Sequence, residues 1–133
     1  MLYPMRLAAI FVAVFAFCLA GLVAQDDLAQ YQTWMKAAAG ARGAAGKAVQ
    51  AKDVAAAAAA AKTAADNFDS IATFWKGKGK DDAVAFATTA RDAAKAAAAA
   101  TTSEDQGAAL AKIGPTCNGC HMMYRDGNKF KGM

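Results

Sequence analysis

Cysteine, a gap of two, a second cysteine and then histidine make up the most reactive stretch of this chain, Cys117-Asn118-Gly119-Cys120-His121. Thiols three residues apart share one face of a helix, and an imidazole four residues after the first thiol falls on that face too. This C-x-x-C-H run is the attachment signature of c-type haem. The thiols add across the vinyl groups as thioethers, and the imidazole reaches the iron from one side. Cys117 and Cys120 are therefore expected to anchor one haem c per chain, with His121 as the proximal ligand. Two other chemistries use these residue types. A thioredoxin-like pair wants a strand leading into a helix, and nothing here reads as a sheet. A zinc site needs four ligands. The chain has one histidine and three cysteines, and the third cysteine, Cys18, lies in a segment expected to be removed.

An iron held by His121 leaves its opposite side to be defined. Few residues follow the motif, so a methionine arriving from a long downstream segment is not available. Met122 and Met123 adjoin the proximal histidine and should not reach the other face, and Met133 is the terminal residue. Met35 remains, and it is the expected distal ligand. Its competing use is to fill a gap in the core, as methionine often does.

The elements that must position these residues read as helices. Leu28, Tyr31, Met35, Ala38, Arg42, Ala45 and Val49 recur at spacings of three and four, which predicts a first helix over about 26–50, with Asp26 or Asp27 as its cap and Asp27 with Gln30 resembling a capping box. Gly40, Gly43 and Gly46 weaken it by about 1 kcal/mol each relative to alanine. Asp53 caps a second helix over 54–75 with Phe68, Ile71 and Trp75 on one face, and Ala55–Ala61 supplies the strongest helix propensity. Lys76-Gly77-Lys78-Gly79-Lys80 is a turn and most simply a solvated loop. A third helix follows over 82–100, with Val84, Phe86 and Ala90 inward. Ser103 to Gln106 fits a capping box that opens a fourth helix, whose stripe runs Leu110, Ile113, Cys117, Cys120, His121, Tyr124. Gly114-Pro115 should kink it one turn before the motif, and the chain is expected to fray after Arg125.

Four capped helices with short connections predict an all-α fold, an antiparallel up-down-up-down four-helix bundle with covalently bound haem. In such a bundle the first and last helices are neighbours, which sets residues 35 and 121 at similar heights. The alanine-rich middle helices offer thin side chains, so the macrocycle would fill space that bulkier residues fill elsewhere.

Residues 1–24 read as a secretory signal peptide: Arg6, an apolar run from Leu7 to Ala20, then small residues with cleavage after Ala20 or Ala24. An uncleaved anchor is the rival, although the run is short for a span. Residues 25–133 form the expected bundle domain, in the periplasm of a bacterium and with no membrane span after processing. Removing Arg6 lowers the formal net charge of +4 by one, so steering must come from local patches. Nucleic acid is excluded as a partner, because the basic residues are interspersed with acids and lack aromatic companions. Alanine-rich faces fit a monomer or a homodimer.

The stretch Ile113-Gly114-Pro115-Thr116-Cys117-Asn118-Gly119-Cys120-His121, followed by Tyr124-Arg125, resembles the class II c-type cytochromes, cytochrome c′ and its low-spin, methionine-ligated relatives. Gln32-Thr33-Trp34-Met35-Lys36 looks like the first-helix segment that holds the distal methionine in the low-spin branch. The resemblance implies an exported four-helix bundle with haem on its last helix, and Arg125 near the haem edge. Four residues after His121, Arg125 could pair with a propionate or sit solvated at a helix C-terminus. Tyr124 and Trp34 are expected to be core packing rather than redox relays.

Two functions follow. Ligation by His121 and Met35 would make an electron carrier for redox partner proteins, with Lys112, Lys129 and Lys131 docking an acidic surface. If Met35 points away, a five-coordinate iron would bind nitric oxide or carbon monoxide, as in cytochrome c′ itself. An enzyme such as a peroxidase is not expected, because no second histidine is present for acid–base work.

Overall fold

The computed structural model describes the backbone of residues 3–132 and the side chains of residues 27–132. Five helices follow in order: α1 (Tyr3–Gln50), α2 (Val54–Gly77), α3 (Asp81–Ala99), α4 (Ser103–Ala111) and α5 (Ile113–Tyr124). Two short strands, β1 (Arg125–Asp126) and β2 (Lys129–Phe130), close the chain. It divides into two units, Met1–Gln30, helical from Tyr3, and Tyr31–Met133, an all-α bundle with a terminal hairpin. The signal-peptide and anchor readings of residues 1–24 lie outside the residues whose side chains are described. Among the described residues no helix is long and apolar enough to cross a membrane.

The start expected at Asp26 or Asp27 is not observed. Helix α1 passes through both positions without interruption, so neither residue caps a helix there. Its other end is sharp. Lys52 takes a left-handed φ of 57°, Asp53 N–H reaches Ala48 O at 2.9 Å and Lys52 N–H reaches Val49 O at 3.0 Å. This is a Schellman closure built on a lysine where glycine is usual. Asp53 then caps α2, its Oδ1 accepting from Ala56 N–H at 2.9 Å, so three residues end one helix and begin the next. The α2–α3 link repeats the device with the usual residue: Gly79 has φ 67°, and Lys80 N–H bonds Trp75 O.

Alanine spacing explains the core. In α2, Ala57, Ala61, Ala64, Ala65, Phe68, Ile71, Ala72 and Trp75 are buried, and in α3, Ala83, Ala87, Ala90, Ala93, Ala94 and Ala97 are buried. Both sets advance by three and four, one stripe per helix. Helix α2 packs chiefly on α3, which also meets α4 and α5. Of the expected inward residues of α3, Ala90 is buried, while Val84 and Phe86 are half-buried. In α1, Tyr31, Ala38 and Ala45 are buried and Arg42 is exposed. Aromatic bulk gathers around Trp75, whose ring centroid lies 4.7 Å from Tyr124 and 5.7 Å from Tyr31.

The expected capping box over 103–106 is also corrected. Thr102, one residue earlier, accepts from Asp105 N–H at 3.1 Å. Gln106 is fully buried instead of reaching back to the cap, and it donates from Nε2 to Val54 O at 2.9 Å, tying α4 to the start of α2. The fourth helix is two helices. Pro115 would clash with the carbonyl of residue 111, and α4 ends at Ala111. Pro115 then occupies the third position of α5, within the first turn, where a missing N–H costs no intrahelical bond.

Beyond Tyr124 the chain does not fray. Arg125 pairs with Phe130 and Asp126 with Lys129 around a two-residue turn, Gly127-Asn128. Gly127 has φ 58°, as the first central position of a type II′ turn requires. Phe130 stacks on Phe74 at 5.4 Å between ring centroids, Gln32 Nε2 donates to Asn128 O at 2.9 Å, and Lys131 N–H bonds Tyr124 O at 2.9 Å. Apolar contact and backbone hydrogen bonding together hold the terminus in place.

Candidate functional site

One pocket gathers the residues singled out by their chemistry. Helix α5 supplies Thr116, Cys117, Cys120 and His121; α1 supplies Tyr31 and Met35; α2 supplies Phe68 and Ile71; and α3 supplies Phe86, Ala87 and Ala90. It encloses about 300 Å³ of space, its open mouth included. Helical periodicity puts Cys117, Cys120 and His121 on one face of α5, as their spacing requires. All three are half-buried.

The second side of the pocket is held by an aromatic strut. Tyr31, one turn before Met35 on α1, accepts a hydrogen bond at 3.1 Å from Trp75 Nε1 in α2. Its ring also lies 4.8 Å from Phe74 and 4.9 Å from Phe130. These contacts pin the turn of α1 that carries Met35. Met122 and Met123, 77 % and 45 % exposed, do not line the pocket.

Electrostatics fit a dry site. Burial lowers the basicity of His121 below its ordinary value, and the Arg125 charge adds to the effect, so the imidazole keeps its lone pair at neutral pH. Burial pushes the Cys120 thiol up to about 11, with Asp82 and Cys117 contributing. A thioredoxin-like nucleophile needs the opposite shift, a thiol pKa lowered toward neutrality. Both motif cysteines are free thiols. Among the described residues no three His, Cys, Asp or Glu side chains gather where a metal ion could be held by them alone.

These residues fit a covalently held haem. Two thiols, one neutral imidazole and one thioether line a single pocket whose remaining walls are mostly apolar. Phe86 lines the pocket from α3 and packs closely against the motif. A Cβ built on Gly119 would stand 2.6 Å from the Phe86 ring. The second spacer residue of the motif is thus a glycine because α3 approaches it there.

Arg125 is not among the pocket residues. Helix α5 ends at Tyr124, so Arg125 leaves the helical face shared with His121, and its Nε donates to Gly127 O at 2.8 Å. Tyr124 is buried against Trp75, and its hydroxyl donates to Asp82 Oδ1. Trp34 is half-buried against the core. Both aromatics pack as expected. Phe86 as a pocket wall and the terminal hairpin were not read from the sequence. The hairpin had a signal, the Gly-Asn pair between Arg125-Asp126 and Lys129-Phe130. Helical spacing marked Phe86 as inward, but nothing local told that it would meet Gly119 of α5.

No protein-family model, no curated protein and no solved structure matches the chain.

Proposed function

We propose that this chain is an exported, periplasmic monohaem c-type cytochrome that carries single electrons between partner proteins. The observation that carries this reading is that Met35, distant in sequence, lines the same apolar pocket as Cys117, Cys120 and His121. In this reading Cys117 and Cys120 are the thioether anchors, His121 is the proximal ligand and Met35 the distal one. The helices form an up-down-up-down bundle in which α4 and α5 together serve as the fourth helix, and residues 1–24 are removed on export.

Bound haem supplies a one-electron couple, and methionine ligation raises its potential. The protein's own residues do the rest. His121 stays neutral because it is desolvated and lies near Arg125. Phe68, Ile71 and Phe86 give the pocket apolar walls and lower its polarity, which also shifts a potential. Tyr31, bonded to Trp75, fixes the turn that presents Met35. Held by both His121 and Met35, a haem would be left to exchange electrons and not to bind a substrate.

The test is the visible spectrum of oxidised protein expressed with a haem-attachment system. The expected result is a low-spin spectrum with a sulfur-to-iron band that Met35→Ala abolishes, and loss of covalent haem in the Cys117→Ala, Cys120→Ala double variant. A high-spin spectrum untouched by Met35→Ala would replace the carrier with a five-coordinate protein that binds nitric oxide or carbon monoxide. Colourless protein would overturn the haem reading.

A further inference from the structure

We propose that the basic residues brought together by the α2–α3 link and the C-terminal hairpin form a docking face for an acidic redox protein. This rests on the electron-carrier reading and names the partner's chemistry.

The sequence keeps these residues far apart: Lys76, Lys78 and Lys80 in the link, and Arg125, Lys129 and Lys131 in the hairpin. Two independent contacts join the segments. The Lys78 ammonium lies 5.2 Å from the centroid of Phe74, and Phe74 stacks on Phe130, which sits between Lys129 and Lys131. Tyr124, whose carbonyl receives the Lys131 N–H, donates its hydroxyl to Asp82 at the start of α3, two residues past Lys80. Six cations therefore meet three carboxylates, Asp81, Asp82 and Asp126. All six cations are exposed except the half-buried Lys80.

The face also has an apolar component beside the haem motif. Met122 and Met123 directly follow His121 and are, among the described residues, the large hydrophobic side chains most open to solvent. The tail returns past them, since a Cβ on Gly132 would lie 3.4 Å from Met123 O. Exposed methionines bordered by cations match a weak redox interface, in which charge sets the encounter rate and a small apolar contact completes docking. The phenyl and phenol rings beneath it, Phe130 and Tyr31, lead from this face to the pocket wall. Lys112 does not belong to the face. It precedes α5, nine residues before His121, about 13 Å along the helix axis.

The probe is an acidic flavodoxin, labelled for fluorescence anisotropy and mixed with the haem-loaded full chain at low ionic strength. Charge steering of this kind raises on-rates by about 10- to 1,000-fold. Lys76→Glu with Lys78→Glu, and separately Lys129→Glu with Lys131→Glu, are each expected to slow association by about tenfold, with the difference vanishing at high salt. Lys47→Glu with Lys95→Glu makes the same change of net charge away from the face and is the control; it should slow association far less. The link pair keeps the test open if the hairpin pair disturbs folding. Equal effects from the link and control pairs would overturn the proposal. Binding to phosphatidylglycerol vesicles but not to flavodoxin, abolished by the same substitutions, would overturn it in favour of a membrane surface. Anisotropy does not depend on haem chemistry, whereas reduction of the protein by flavodoxin hydroquinone does. Steered binding without reduction would count against the carrier reading and leave the face standing.

Discussion

Gly119 shows how tightly a spacer residue can be constrained. The two residues between the cysteines are chemically silent in haem attachment, yet a methyl group at 119 would press into Phe86. Gly119→Ala is expected to destabilise the folded chain by about 1–3 kcal/mol through overpacking and to lower haem-loaded yield. Phe86→Leu in the same chain should restore both. Urea melts of the single and double variants check this, and a neutral Gly119→Ala would show that Phe86 yields freely. Asn118, exposed in the same gap, should accept alanine without effect. His121 belongs to the same scale. Its depressed basicity comes first from burial, so the pocket that half-buries the imidazole also favours its neutral form.

At the scale of elements, the links hold the clearest consequences. Lys52 adopts a conformation that costs a residue with a Cβ about 1–2 kcal/mol. Lys52→Gly should therefore raise stability by about 1 kcal/mol, read as a higher denaturant midpoint with an unchanged slope. Thr102→Ala removes the observed cap of α4 and should cost about 1 kcal/mol, whereas Ser103→Ala should cost little. Had the capping box formed as its residues suggest, the order would be reversed. Pro115 illustrates why the last helix was only half legible. A proline interrupts a helix at a position readable from sequence, but whether the chain kinks or restarts depends on what the two pieces pack against. Here the break falls at Lys112, three residues before Pro115, and α5 restarts with Ile113 buried at its first position.

On the scale of the whole molecule, the alanine stripes leave a core with few large side chains. Among the described residues the large buried apolar side chains are Tyr31, Phe68, Ile71, Trp75, Leu110, Ile113 and Tyr124, and alanines fill the other buried apolar positions. The Cys117→Ala, Cys120→Ala chain, freed of haem, is therefore expected to unfold over a broad, weakly cooperative transition and to bind a hydrophobic dye such as ANS. A sharp calorimetric transition equal to that of the haem-loaded protein would contradict this. Stability should also fall in alkali. Burial pushes the Tyr31 phenol up to about 12, and the bond to Asp82 pushes Tyr124 up to about 12 as well. The folded chain keeps protons that the unfolded chain releases near 10. Their contribution is intact below pH 10 and drains away as pH rises toward 12. At the acid end the same bond holds the Asp82 carboxyl below its ordinary value, so that contribution is present above about pH 4 and is lost as pH falls through the lowered value. Melting temperatures across both limbs check the signs, and Tyr124→Phe should flatten the acid limb and part of the alkaline one.

The helices and the shared face of Cys117, Cys120 and His121 could be read without coordinates because each depends on spacing within a few turns of one segment. Periodicity, caps such as Asp53 and the C-x-x-C-H gap are local quantities, set by backbone geometry that any helix shares. The layout of a bundle already set residues 35 and 121 at similar heights, and both line one pocket, whereas the approach of Phe86 to Gly119 and the burial of Gln106 against Val54 join segments that have no fixed relation until the core packs. The terminal hairpin and the basic face it completes depend on Phe130 finding Tyr31, Phe74 and Trp75. That encounter follows from apolar surface leaving water, a non-directional force that names no partner in advance, so only the tertiary structure could decide it.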